Sequence, residues 1–176
     1  MNEKKRGLDS KLGRAVLIFS VLVVLTCVMI FLFSSQDSTQ SSLTSGRITG
    51  LLRKLLCPEY DSLTPQKQAE FSTGLSLRVR KLAHFSEYLL LAQFSFQLLL
   101  ALPRPRTDIV CALGALVFAA FFAATDEFHQ SFVPGRAMAA KDVLIDSLGA
   151  LTGLLIALRV KNILQKRQKQ PLRVTD

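Results

Sequence analysis

Residues 15–33 read AVLIFSVLVVLTCVMIFLF, a block without a single charge. As a helix rising about 1.5 Å per residue it extends roughly 28 Å, close to the thickness of a bilayer's hydrocarbon core. The residues after it, Ser34-Ser35-Gln36-Asp37-Ser38, offer no small-residue cleavage site. The block therefore reads as an uncleaved anchor and not as a signal peptide. Before it stand Lys4, Lys5, Arg6, Lys11 and Arg14. Basic residues concentrate on the cytoplasmic side of membrane helices, so the amino terminus is expected in the cytoplasm.

Three further apolar blocks follow, at about 82–102, 109–125 and 143–158. The second stops at Pro103-Arg104-Pro105-Arg106, where two prolines break the helix and two arginines anchor it to the cytoplasmic face. Thr107 and Asp108 can cap the third. The fourth contains Gly149 and Gly153, a GxxxG pair that lets a neighbouring helix come close. Beyond it, residues 159–176 form a basic tail suited to the anionic inner leaflet.

Between the first two spans, residues 34–81 are too polar to cross. Within them Ile48, Leu51, Leu52, Leu55 and Leu56 mark one helical face, as on a helix lying at an interface or covering the mouth of a bundle. Thr64 and Pro65 can begin another short helix, with Gly74 as its end. The expected architecture is all-α: a four-helix integral membrane bundle over residues 15–158, with an external loop carrying short amphipathic helices. Residues 1–14 and 159–176 are the cytoplasmic ends.

A formal net charge of +9 would point to nucleic acid in a soluble chain. Here the basic residues cluster beside apolar blocks, at 4–14, 104–106 and 159–173, so the expected partner is the lipid bilayer and not nucleic acid. Cys27 and Cys111 lie within apolar blocks and Cys57 in a polar stretch, with no disulfide or metal-ligand spacing.

With four crossings, the start of the second span, the end of the third and the start of the fourth share one outer face. Each of these ends is ionisable. The second opens with Lys81, His84, Glu87 and Tyr88, on one helical stripe. The third ends with Asp126, Glu127, Phe128, His129 and Gln130. A Val133-Pro134-Gly135 turn can send Arg136 back towards these carboxylates, and Asp142 and Asp146 follow on the fourth. An unpaired charge at membrane depth costs a few kcal/mol or more, so such groups must face each other or a wet cavity.

Two helix amino termini, together with Lys81 and Arg136, would favour an anionic ligand there. His84, Glu87, Asp126 and Glu127 are the candidate acid and base groups. Lys81, Tyr88, Gln130, Arg136, Asp142 and Asp146 are the candidate binding residues. The first helix is expected only to anchor and pack. His84, Glu87, Glu127, His129, Asp142 and Asp146 include types that bind metals, but no HExxH or CxxC spacing is present and no metal site is assigned. No cofactor is identified.

The ordered motifs Arg80-Lys81-Leu82-Ala83-His84-Phe85-Ser86-Glu87-Tyr88, Asp126-Glu127-Phe128-His129-Gln130, Pro134-Gly135-Arg136 and Asp142 resemble those of VanZ-like membrane proteins. Phe33-Ser34-Ser35-Gln36 is similar to the family's exit from the first span. The resemblance runs from the first span to Gly153 and leaves out the tails and much of the external loop. It implies a small four-helix membrane domain, mostly bacterial, in a family named for a protein linked to resistance to the glycopeptide teicoplanin. Asp146 stands where family members often have asparagine.

The expected function is therefore an outward-facing site that binds or processes an anionic cell-envelope component, a lipid phosphate or peptidoglycan precursor, in the plasma membrane. The alternative is a non-enzymatic interaction subunit, meeting a partner through the external amphipathic helix or the GxxxG face. A transporter ranks last, because charges confined to one face give no path across the membrane.

Overall fold

The computed structural model describes residues 3–103 and 106–169. Arg104 and Arg173 lie outside the described residues, as do the side chains of Lys4, Lys5, Arg6, Arg47 and Lys169. Among the described residues the structure is helical throughout, without strands. Five α-helices follow one another: α1 (Glu3–Ser34), α2 (Ser38–Leu56), α3 (Pro65–Ala101), α4 (Asp108–Gln130) and α5 (Ala140–Lys169). A short 3-10 turn, Tyr60–Ser62, joins α2 to α3.

Three stretches are long and apolar enough to cross a membrane: Ser10–Ser34, Asp108–Gln130 and Ala140–Gln168. These helices turn large apolar side chains outward, among them Leu17, Val24, Val117, Phe121 and Leu155. Such exposure is costly in water and ordinary in lipid. The protein is thus a membrane protein.

α3 is less apolar because Glu87, Gln93 and Gln97 interrupt it. Its position explains how it tolerates them. It packs against α1, α2, α4 and α5, most extensively against α5. The core is built around it, from Tyr88, Leu91, Ala92 and Phe96 of α3 against Ala115, Ala119 and Ala123 of α4 and Ala150 and Leu154 of α5.

Small residues set the α3–α5 distance. A Cβ on Gly149 would lie 2.3 Å from the Phe85 carbonyl oxygen, and one on Gly153 would lie 2.4 Å from that of Leu89. The GxxxG face is therefore filled by α3 of the same chain, which removes it as a docking face for a partner protein.

Two expectations about α3 fail. The short helix from Pro65 does not end at Gly74 but runs without a break through the 82–101 block. A Cβ added at Gly74 would meet nothing within 4 Å beyond its own stretch of helix. A lone helical glycine costs only about 1 kcal/mol, which the continuous backbone hydrogen bonding of a long helix absorbs. Consequently Lys81 and His84 stand well inside α3, and no helix terminus of α3 faces the polar site. Of the two amino termini expected there, only that of α5 remains.

The amphipathic helix is present as α2. Asp37 caps it by accepting from the Gln40 backbone N–H at 2.7 Å, and Arg53 and Lys54 occupy its last turn, where cations suit the helix dipole. The Arg53 guanidinium lies 4.2 Å from the centre of the Tyr60 ring. The Tyr60 hydroxyl meets Ser72 Oγ at 2.8 Å. These contacts fasten the α2–α3 hairpin. Thr107 caps α4 as expected, accepting from the Val110 N–H at 3.3 Å.

Candidate functional site

α4 leaves the bundle with Asp126, Glu127 and Gln130 all buried. Their partners come from an unexpected place. Ser34, the last residue of α1 and fully buried, donates to Asp126 Oδ2 at 2.8 Å. Gln130 Nε2 donates to the same carboxylate oxygen at 2.9 Å and to Ser34 Oγ at 3.2 Å. Ser35 Oγ lies 3.2 Å from His129 Nε2, and the His129 ring stacks on Phe31 at 4.7 Å between centroids. The first helix is thus part of the polar cluster, which corrects the expectation that it only anchors and packs. Ser34 sits 92 residues from Asp126 in sequence. The usable signal was the Phe33-Ser34-Ser35-Gln36 motif, whose hydroxyl follows directly on an apolar block.

The turn after α4 behaves as its residues demand. Gly135 takes a φ of 74°, a conformation that costs glycine little. The chain reverses there, and Arg136 Nη1 donates to Gln130 Oε1 at 3.0 Å, with Nη2 at 3.4 Å from the Phe33 carbonyl. Arg136 therefore reaches the carboxylates through Gln130 and not by a direct ion pair. Burial, with the Arg80 guanidinium nearby, lowers its pKa from the ordinary value. Glu127 Oε2 accepts from the Ala139 N–H at 2.9 Å and so holds the entry to α5.

On α3, Lys81 forms an ion pair with Asp142 of α5. His84 Nδ1 and Glu87 Oε2 are 3.8 Å apart, too far for a direct hydrogen bond. Both atoms are buried without a hydrogen-bond partner, and so are the Tyr88 hydroxyl, Arg136 Nε and both oxygens of Asp146. Asp146 is only 1% exposed. Asp146 makes no ion pair with Arg136.

Lys81, His84, Glu127, Gln130, Asp142 and Asp146 line one cavity of about 90 Å³, room for a few waters or a small polar group. A second chamber of about 170 Å³ adjoins it, and Glu87 and Arg136 face that one. Tyr88 and Asp126 stand behind these walls, Tyr88 against the Phe122 ring at 6.4 Å. His129 belongs to neither cavity. Among the described residues no group of three or more His, Cys, Asp or Glu side chains is arranged to hold a metal.

Arg80 borders both cavities and also the groove between α2 and α3. Sequence reasoning missed it, because within Arg78-Val79-Arg80-Lys81 nothing separates one cation from the next.

A family model described as VanZ/LLP1 matches residues 19–163, from within α1 to the last turns of α5. No curated protein matches the chain, and no solved structure does.

Proposed function

This chain belongs to the VanZ/LLP1 family, and from that premise we propose that its polar site binds an anionic cell-envelope component at the outer face of the plasma membrane. The component is a lipid phosphate or a peptidoglycan precursor. The protein crosses the membrane four times, through α1, α3, α4 and α5. Its termini and the segment joining α3 to α4 are cytoplasmic, and residues 34–81 are external. Lys11, Arg14, Arg106, Arg159 and Lys161 mark the cytoplasmic end.

The observation that carries this reading is the set of unpartnered buried polar atoms on Asp146, Glu87 and His84, beside the cations Arg80, Lys81 and Arg136. Native proteins seldom leave buried polar atoms unpaired, and walls that receive a ligand are where exceptions have a use. Arg136 and Lys81 hold the anion, although Lys81 must first exchange its Asp142 partner for it. If a reaction follows, His84, Glu87 and Glu127 are its acid and base groups, while Asp126, already engaged by Ser34 and Gln130, orients the wall.

Separate Glu87→Gln and Arg136→Ala variants, expressed at normal levels, test the reading. Both should alter envelope lipid composition or glycopeptide susceptibility, and no change in either would overturn it.

The Ser34–Asp126–Gln130–Arg136 network favours a second reading, an interaction subunit whose polar ends lock the bundle. Its partner surface would be α2, where Leu43, Ile48, Leu51, Leu55 and Leu56 are exposed. In that case Asp126→Ala, which breaks the network, lowers thermal stability, whereas Glu87→Gln, at a carboxylate without a hydrogen-bond partner, spares or raises it.

A further inference from the structure

The chamber beside the polar cavity differs from it in kind. Phe33, Ile48, Val79 and Ala83 form its apolar walls, beneath α2 and between α1 and α3. Arg80 and Arg136 stand at its polar edge. Neither guanidinium has an ion-pair partner among the described residues, and Arg136 Nε is buried without a hydrogen bond. Two unneutralised guanidiniums beside an apolar hollow complement a phosphate joined to a hydrocarbon chain.

The polar cavity is a worse place for the phosphate itself. Glu127, Asp142 and Asp146 line it, and Lys81, its most accessible cation, is already paired with Asp142. Three carboxylates repel an anion there, against the single one, Glu87, that lines the chamber, so the arginine side of the shared wall is favoured. Phe33 and Ile48 of the chamber wall are also exposed. A hydrocarbon chain seated against them keeps contact with the apolar surface of the protein.

We propose that the ligand is a lipid phosphate, held with its phosphate between Arg80 and Arg136 and its hydrocarbon chain in the chamber beneath α2. This rests on the reading of an anion site at this face. It puts Arg80 in the place given to Lys81 above, because Lys81 keeps its Asp142 partner, and selects the lipid over a water-soluble precursor. His84, common to both cavities, then stands between the phosphate and the carboxylate wall.

The test is equilibrium binding to the full-length protein in uncharged detergent, with dioleoyl phosphatidic acid as one probe and inorganic phosphate as its competitor. Wild type should bind the lipid at least tenfold more tightly than inorganic phosphate. Ala83→Phe fills the chamber from α3, and Ile48→Trp fills it from α2, so that a folding defect in one leaves the other to decide. Each should weaken the lipid at least fivefold and leave inorganic phosphate unchanged, while Arg80→Gln weakens both. Lipid binding at wild-type strength in the folded chamber variants would overturn this inference while leaving the anion site intact. If wild type binds neither probe, or Arg80→Gln changes neither, the anion site falls as well and takes this inference with it.

Discussion

Gly149→Ala adds one methyl group where α3 and α5 touch, and its effect can be worked from the contact distances. The new Cβ would lie 2.3 Å from the Phe85 oxygen, 3.0 Å from its carbonyl carbon and 3.1 Å from its Cα. Ordinary contact begins at 3.4 Å, so the two backbones must part by about 1 Å, enough to forfeit a quarter to a half of the attraction along the seam. No side-chain rotation relieves a clash with backbone. Overpacking of this kind costs about 1–3 kcal/mol, and a backbone clash belongs at the upper end.

Alanine also recovers about 1 kcal/mol of helix propensity, which leaves a net loss of about 2 kcal/mol. For a chain of this size that lowers the apparent Tm by about 4–8 °C. Thermal unfolding in detergent measures it, with Gly50→Ala as the control. Nothing lies within 4 Å of a Cβ at position 50, so the same chemical change there should be neutral or raise stability by up to about 1 kcal/mol. A Gly149→Ala protein that melts at or above wild type would refute the close approach of α3 and α5.

Three further outcomes are expected. Asp146→Asn keeps the side chain's shape and removes a buried carboxylate that has no partner, so the apparent Tm should hold or rise; a fall would mean that the carboxylate is paired. Ser34→Ala takes a donor from Asp126 and an acceptor from Gln130 in a buried network, and should cost about 1–2 kcal/mol in detergent unfolding, whereas no loss would reduce α1 to an anchor. Cys57, partly exposed between α2 and α3, should react with a membrane-impermeant maleimide on intact cells while buried Cys111 does not, and labelling of Cys57 only after permeabilisation would reverse the proposed orientation.

The membrane helices were legible because a bilayer demands long uncharged blocks, and 15–33, 109–125 and 143–158 supply them. Their true lengths were not. Helices continue past the apolar block until the backbone is capped or broken, so α4 extends to Gln130 and α5 is still helical at Lys169, the last described residue. Thr64-Pro65 marked the real start of α3, but Gly74 looked like an end only because residues around it are polar.

In the site, Lys81, His84, Glu127, Asp142 and Asp146 were legible as ionisable residues at converging helix ends, and the structure does bring them to one cavity. Ser34 and Arg80 were not. A serine after a span and an arginine in a basic run have countless bland uses, and what distinguishes them is which helix lies opposite. That depends on how α1 packs against α3 and α4, a long-range property; the Phe33-Ser34-Ser35-Gln36 and Arg80-Lys81 motifs marked their positions without assigning them a partner or a role.

The low apolarity of α3 bears on how the protein is made. Glu87, Gln93 and Gln97 are tolerable in the finished bundle because neighbours surround them, and Gln93 Nε2 even finds the Gly153 carbonyl at 3.2 Å. A nascent chain emerges from its amino terminus, so α3 reaches the membrane before α4 and α5, the helices that shield it. Alone in lipid it would hold these polar groups at a cost of several kcal/mol. In the proposed four-span topology α3 must therefore wait in a protected place or enter together with α5, whose Gly149 and Gly153 close directly on its backbone.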